Sequence, residues 1–293
     1  MKILVIGGSS VIGSKIIEDK TNIKHFDMKF TYLNNKLDFM KGERLDITKK
    51  QNTIELIKKN NPNVIIHCVA LTNVDKCETE KENAYNINVN GIENVVAGAK
   101  IINSKIVYIS TSAVFDGQKT KYFEYDKTCP ISYYGETKVT AEKIIQDSTL
   151  PYLILRTDQP YCQIKKWQHT NSVLRIVETL KNNRIHKEVK NWYNRPTFVP
   201  NFVHALRKLL ENNEEGIFHT VDNSFLNRVD MAMQIAEIFK FNKEMIKPIN
   251  SEELKLDAKR ANVNLNNEKL FKKTGFKMSS FREGIKEMFF HQD

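Results

Sequence analysis

Three side chains of this chain have the types and the spacing to exchange a proton with a carbonyl oxygen: Thr111, Tyr134 and Lys138. Tyr134 and Lys138 are four residues apart, so on a helix the phenol and the ammonium project from one face about one turn apart. A phenol releases its proton near pH ~10 in water, and a neighbouring cation brings that closer to the working range. Lys138 is placed to be that cation. Thr111, at the mouth of a strand, would hold a substrate oxygen beside the phenol. The same Tyr-x-x-x-Lys spacing recurs at Tyr32/Lys36 and Tyr161/Lys165, so context has to choose among them. Only Tyr134 follows a strand that ends in hydroxyls and itself opens a helix.

The positioning elements can be read from hydrophobic period. Ile106–Ile109 is a β-branched and aromatic run that reads as a buried strand ending in Ser110, Thr111 and Ser112, and Tyr134 begins a helix that continues to about Gln146. At the start of the chain, the apolar strand Lys2–Ile6 runs into Gly7-Gly8-Ser9-Ser10-Val11-Ile12-Gly13 and then a helix carrying Ile16 and Ile17. Strand, glycine turn and helix head together make an anion cradle, because free backbone N–H groups and the helix dipole face a diphosphate. Gly7, Ser9, Ser10, Val11, Ile12 and Gly13 are its expected contacts. A second strand over Phe30–Leu33 ends at Asn34, Asn35 and Lys36, where an acid would hold a ribose 2′-hydroxyl. Amides and a cation stand there instead, which points Asn34 and Lys36 towards the phosphate of NADP(H), with NADH as the alternative. Asp46 and Ile47 are expected at the adenine ring, although Asp46 or Thr48 could equally cap the helix Lys50–Asn60. The strand Asn63–Cys68 continues into Val69, Ala70 and Leu71, small enough for a flat cofactor to lie on, and His67 within it reads as a satisfied core histidine.

Further along, Thr72, Asp75 and Glu78 open a helical region that reaches Ala99 and is interrupted near Asn88–Gly91, with Asp75 as an early-turn acid suited to the helix dipole. After the strand Tyr152–Arg156 the β-α alternation breaks down. The stretch Asp158–Asn194, with Trp167, Trp192 and many cations, suits a less regular lobe over an anionic substrate. From that lobe Gln159, Trp167 and Arg195 are expected to meet the substrate, and from the sheet Thr72, Ser112 and Ala113. An amphipathic helix over Asn201–Leu210 precedes Gly216–Asp222, a strand returning to the main sheet. Asn227 should cap the helix Val229–Phe239, and a last amphipathic helix lies near Phe281–Phe289. The expected organisation is a dinucleotide-binding domain over 1–157, with 196–222 returning to it, and a smaller, interleaved α/β substrate-binding lobe from 158–195 and 223–293.

The 293 residues, 41% of them hydrophobic, can bury a sizeable core. A net charge of +10 suggests anionic partners, yet the cations are scattered along helix faces, and a phosphate-bearing small molecule is favoured over nucleic acid. The four cysteines form no close pair, which argues against a zinc ribbon or a disulfide scaffold. With no leader-like start and no apolar run near 18 residues, a cytoplasmic protein without membrane contact is expected.

Taken together, these stretches resemble the extended short-chain dehydrogenase/reductases, and among them the dTDP-4-dehydrorhamnose reductases. The resemblance covers nearly the whole chain and rests on VIIHCVALTNVDKCE (Val64–Glu78), YISTSAVFDG (Tyr108–Gly117), YYGETK (Tyr133–Lys138), RPT (Arg195–Thr197) and GIFH (Gly216–His219). It implies a Rossmann-like, doubly wound parallel sheet of the α/β class. The activity it implies is NADPH-dependent reduction of a nucleoside-diphosphate 4-keto-6-deoxy sugar, in rhamnose or deoxysugar synthesis. Tyr134, Lys138 and Thr111 would be its catalytic trio, and Lys138 would also grip the nicotinamide ribose. A homodimer is compatible with the family, and no metal is expected from these residues. The chain departs from the pattern in three places. Ser10 stands where the diphosphate loop commonly has glycine, which would keep the backbone further from the cofactor. Ser112-Ala113 replace the usual Asp-Tyr, which leaves the sugar open. The Asp-Glu pair of the 4,6-dehydratases is missing, and Ala113 replaces the cysteine of the fused epimerase-reductases, so a single reductive step is favoured. Two other readings stay open: a nucleotide-sugar 4-epimerase using the same trio, and a non-catalytic NADP-binding subunit like the β subunit of methionine adenosyltransferase.

Overall fold

The structure is a computed structural model that describes residues 1–19, 26–37 and 40–290. Its centre is a seven-stranded parallel sheet formed by β1 (Lys2–Ile6), β2 (Asp27–Tyr32), β3 (Glu43–Arg44), β4 (Val64–His67), β5 (Lys105–Thr111), β6 (Tyr152–Thr157) and a later strand, Gly216–His219. β4 is buried at every residue, as a central parallel strand covered on both faces must be. Between the strands run α1 (Val11–Glu18), α2 (Lys50–Asn60), α3 (Val74–Thr79), α4 (Lys81–Tyr85), α5 (Gly91–Ile102) and α6 (Tyr133–Gln146). One apolar cluster on each face, around Ile3, Val5 and Ile66 and around Leu4, Ile65 and Ile106, seals the helices against the sheet. β1 pairs with both β2 and β4, so the winding reverses there and leaves a crevice at the carboxyl ends of the strands.

Beyond β6 the chain alternates between this sheet and a second set of elements: β7 (Pro160–Tyr161), α7 (Ser172–Lys181), β8 (His186–Val189), β9 (Tyr193–Asn194), β10 (Thr197–Phe198) and α8 (Val199–Glu211). β11 (Gly216–His219) then pairs in parallel with β6, as its sequence suggested. It is followed by β12 (Leu226–Asn227), α9 (Arg228–Phe239), β13 (Ile246–Ile249), α10 (Glu268–Thr274) and α11 (Phe281–Phe290). α8 buries Phe202, Leu206 and Leu209 against the sheet, each contributing about 1.5–3 kcal/mol. α7, α9 and α11 instead share a separate core built on Ile176, Ile235, Phe281 and Ile285.

Several local expectations hold. Asn227 caps α9, accepting from the Asp230 N–H at 2.8 Å, and the 74–102 region is broken at Glu80 and by a π-turn over Asn86–Asn90. Others do not. Neither Asp46 nor Thr48 caps α2, whose N-cap is Lys49 without a side-chain bond. The Asp46 carboxylate turns back on Thr48, accepting from its N–H at 3.0 Å and its hydroxyl at 2.7 Å, so it closes an Asx turn before the helix begins. The helix α3 is capped by Asn73, whose side chain accepts from Lys76 N–H at 3.0 Å. Asp75 does lie in the first turn of α3, and it also holds the C-terminal segment, accepting from Ala258 N–H at 3.0 Å and from Arg260 at 2.7 Å.

Candidate active site

A cleft of about 960 Å³ runs along the carboxyl ends of β1, β2, β4, β5 and β6, and the irregular C-terminal elements form its far wall. It is lined by Gly7 and Ser9–Ile12 after β1, Leu33 and Asn35 after β2, Cys68–Ala70 after β4, Ser110–Ala113 at the end of β5, and Asp158–Pro160 after β6. Thr111, Tyr134 and Lys138 all line it, so the three residues chosen from the sequence meet at one place. Tyr32 and Tyr161 sit in or beside strands, and their Tyr-x-x-x-Lys spacing therefore places nothing on a helix face.

Two features of the sequence bring Tyr134 to Thr111. Ser132 caps α6, its hydroxyl oxygen accepting from Gly135 N–H at 3.2 Å. Gly135 lets the first turn press against the loop after β5, because a Cβ there would collide with the Ala113 carbonyl. Thr111 shapes that loop, its hydroxyl oxygen accepting from Ala113 N–H at 3.1 Å. Lys138, 2% exposed, donates to the Ile109 carbonyl at 2.7 Å and stands 4.0 Å over the Tyr108 ring. Burial lowers its ammonium to about 7, against the opposing charge of Glu142. For Tyr134, burial pushes the phenol upward and a hydrogen bond with Thr111 opposes it. The expectation that Lys138 holds the phenol acidic is not met, because the Lys138 charge is directed at a backbone carbonyl and weakened by its own burial.

His67 departs from its expectation as well. It is buried and stacked on Tyr108, yet neither ring nitrogen makes a well-formed hydrogen bond. Burial and the charge of Lys138 push its imidazole down to about 3, a Val69 backbone group opposing them weakly, so it is neutral across the working range. It forms part of the cleft wall.

The glycine loop fits an anion. Gly7 adopts φ +81°, a left-handed conformation that favours glycine, and a Cβ at Gly13 would strike the Gly7 carbonyl. Gly13 therefore serves the close start of α1 and does not itself line the cleft. Val11 and Ile12 do, and at a helix head their N–H groups have no partner within the helix. Ser10 does not disturb this arrangement. Its φ of −69° is ordinary, and its hydroxyl oxygen caps α1 by accepting from Gly13 N–H at 3.1 Å. Asp46, Ile47 and Thr48 continue the cleft at its outer end.

Besides Gly13, four expected contacts lie elsewhere. Asn35 lines the cleft, whereas Asn34 and Lys36 do not; the Lys36 ammonium stands 5.8 Å from the Tyr32 ring centre. The Leu71 side chain packs with Cys77, Ala84 and Tyr134, while its backbone is bonded on both sides to Asn88. Arg195 is absent from the lining because its guanidinium donates to the carbonyls of Leu265 and Asn223, which makes it a brace for the C-terminal segment. Thr72, Ser112, Ala113, Gln159 and Trp167 do line the cleft.

The far wall supplies residues that the sequence did not single out. Asp158 accepts from Ser112 hydroxyl at 3.0 Å, from Asn194 at 3.3 Å and from Arg195 N–H at 2.8 Å. Burial raises its carboxyl to about 6 against those three bonds. A signal for it existed: Thr111 and Thr157 are register partners, so the residue following Thr157 must stand beside the one following Thr111. Arg175 on α7 and Lys259 also line the cleft and form no ion pair among the described residues, whereas Arg260 pairs with Asp75. Among the described residues no group of three or more His, Cys, Asp or Glu could hold a metal, and no helix is long and apolar enough to cross a membrane.

This arrangement can be compared with known proteins. The dTDP-4-dehydrorhamnose reductase of Aggregatibacter actinomycetemcomitans is 29% identical over 265 residues, covering 86% of this chain and 88% of the relative. The methionine adenosyltransferase 2 subunit beta of Mus musculus is 28% identical over 253 residues, 84% of this chain and 75% of the relative. A dTDP-4-dehydrorhamnose reductase from Bacillus anthracis, solved in complex with NADP, superposes with a TM-score of 0.89 at 25% identity and 99% coverage of both chains. A sequence-family model described as the RmlD substrate binding domain matches residues 1–293, and the chain belongs to that family.

Proposed function

We propose that the protein is an NADPH-dependent reductase acting on a nucleoside-diphosphate 4-keto-6-deoxy sugar. The observation that carries this reading is the meeting of Thr111, Tyr134 and Lys138 in one cleft with the anion cradle after β1. When bound, the reduced nicotinamide would supply a hydride to the sugar carbonyl carbon. Tyr134 would give its phenolic proton to the carbonyl oxygen, and Thr111 would hold that oxygen as it gains charge. Lys138 would grip the ribose hydroxyls, its charge strengthening those bonds. Gly7 and Ser9–Ile12 would hold the diphosphate, Asp46 and Ile47 the adenine end, and Asn35 would take the place expected of Asn34 and Lys36 beside the ribose. The cations Arg175 and Lys259 suit the anionic part of the sugar nucleotide, with Gln159 and Trp167 at the sugar.

The test is to mix the full chain with NADPH and a panel of dTDP- and UDP-linked 4-keto-6-deoxy sugars, and to follow loss of reduced-nicotinamide absorbance. Oxidation with one of them is expected. A parallel incubation with NAD⁺ and dTDP- or UDP-hexoses that carry a C4 hydroxyl, giving the C4 epimer with no net change in cofactor, would replace this reading with a 4-epimerase. A second reading is favoured by the 28% identity to the methionine adenosyltransferase subunit: a dinucleotide-binding partner of another enzyme. Tight NADPH binding without turnover of any keto sugar, with a second protein that co-purifies, would establish it.

A further inference from the structure

Between β7 and α7 the segment 162–171 crosses from the C-terminal elements back over α1. Its two ends are tied to each other. Asn171 caps α7 through Leu174 N–H at 3.0 Å and donates to the Cys162 carbonyl at 2.8 Å. The loop so closed touches α1 at both ends of the helix. Near the head, Gln168 Nε2 lies 3.0 Å from the carbonyls of Ser9 and Ser10 and from the hydroxyl of Ser14. Near the tail, Lys165 Nζ pairs with Glu18 at 2.7 Å.

We propose that this segment is a latch that retains a bound dinucleotide, with Gln168 as a positioning residue of the anion cradle and Lys165–Glu18 as its second fastening. The inference rests on the reading above that the cleft binds NADP(H).

The orientation of Gln168 is fixed by chemistry. Its Oε1 accepts from Lys165 N–H at 2.9 Å, and two of the three partners of Nε2 are carbonyls, which only accept. The amide cannot be turned over without setting oxygen against oxygen. A trans peptide points its C=O and the next N–H in opposite directions. The Ser10 carbonyl accepts from Ser14 N–H at 2.9 Å within α1 and from Gln168 on its flank, and the two bonds together aim Val11 N–H out from the head of the helix, where a diphosphate would sit. Trp167, His169 and Thr170 of the same segment line the cleft together with Ser9–Ile12. A dinucleotide seated on the cradle would lie under this roof, and its release would require Gln168 to let go. The Lys165–Glu18 pair is partly exposed, so salt should loosen that end.

The test is the dissociation rate of NADPH from the full chain, read from nicotinamide fluorescence on displacement by excess NADP⁺. Gln168→Glu puts a carboxylate against two carbonyls and should speed release about tenfold or more; Gln168→Ala, losing hydrogen bonds only, should speed it about threefold to tenfold. Lys165→Ala, a surface change that leaves the cradle intact, should speed release modestly and weaken its dependence on salt. Unchanged rates in all three variants would overturn the latch and leave NADPH binding standing. Failure of the unaltered chain to bind NADPH would overturn the reading of the cleft, and the latch with it.

Discussion

Helix α6 carries two polar groups one turn apart that the protein treats in opposite ways. At its inner turns Glu142 is locked. It accepts from Ser110 hydroxyl at 2.5 Å and from Arg156 at 3.0 Å and 2.7 Å, and Arg156 reaches on to His219 Nε2 at 3.5 Å. His219, neutral because burial pushes its imidazole down to about 3, donates from Nδ1 to the Asn266 carbonyl at 2.9 Å. One turn earlier, among the described residues, Lys138 has a single backbone partner and His67 beside it makes no well-formed bond. Both clusters are buried, so desolvation alone does not distinguish them. The inner network is complete within the protein, whereas the outer one keeps bonding capacity that a ligand in the cleft could fill. Incomplete satisfaction next to a cleft is thus the better marker of chemistry than burial or charge.

The sharpest way to break this contrast is to remove one group from each cluster. Tyr134→Phe should lower turnover by about 10²–10⁴-fold while leaving thermal stability and NADPH binding nearly unchanged, because outside the chemistry the lost hydroxyl makes only its hydrogen bond with Thr111. Steady-state rates and a melting curve on the same sample decide it, and undiminished reduction would remove Tyr134 from the mechanism. Glu142→Ala should act in the other direction, costing about 3–5 kcal/mol in urea unfolding because Arg156 is left buried without its partner. A stable Glu142→Ala protein would mean that the inner network is not a structural lock.

A milder probe is pH. Lys138 loses its proton as pH rises through about 7, and the mechanism needs its charge, so kcat/KM for reduction should be flat below that value and fall above it. His67, held neutral down to about 3, should add no limb of its own. A profile that stays level to pH ~9 would show that Lys138 keeps its proton through closer contact with Glu142.

The same contrast explains what could be read from the sequence. β1, α6, β11 and the Asn227 cap are local, set by period, turn residues and a single side chain, and were legible for that reason. α7 was not anticipated: Ser172–Lys181 lies in a stretch crowded with cations, and its apolar face packs on α9 and α11, far along the chain. β7, β9, β10 and β12 are two residues long and exist only through partners between 32 and 37 positions away, as Tyr193–Asn194 with Leu226–Asn227 and Pro160–Tyr161 with Thr197–Phe198 show. The trio was legible because one helix turn fixes Tyr134 against Lys138. Arg195 was misplaced because a cation's identity carries no direction, and its guanidinium is turned to backbone carbonyls.

The smallest effect concerns Ser10, at the head of α1. If Ser10 mattered by keeping the backbone away from a ligand, glycine there would improve cofactor binding. The geometry gives it a different role, since its oxygen takes the Gly13 N–H that would otherwise be unpartnered at the head of α1. Glycine is nearly as good at this position as serine, and alanine is not. Ser10→Gly should therefore change stability by only a few tenths of a kcal/mol, and Ser10→Ala should cost about 1 kcal/mol, with NADPH affinity moving little in either. Urea unfolding with and without NADPH separates the two roles. A large gain in affinity for Ser10→Gly would show that the side chain obstructs the cradle, and an alanine variant as stable as the unaltered chain would show that the cap bond contributes nothing.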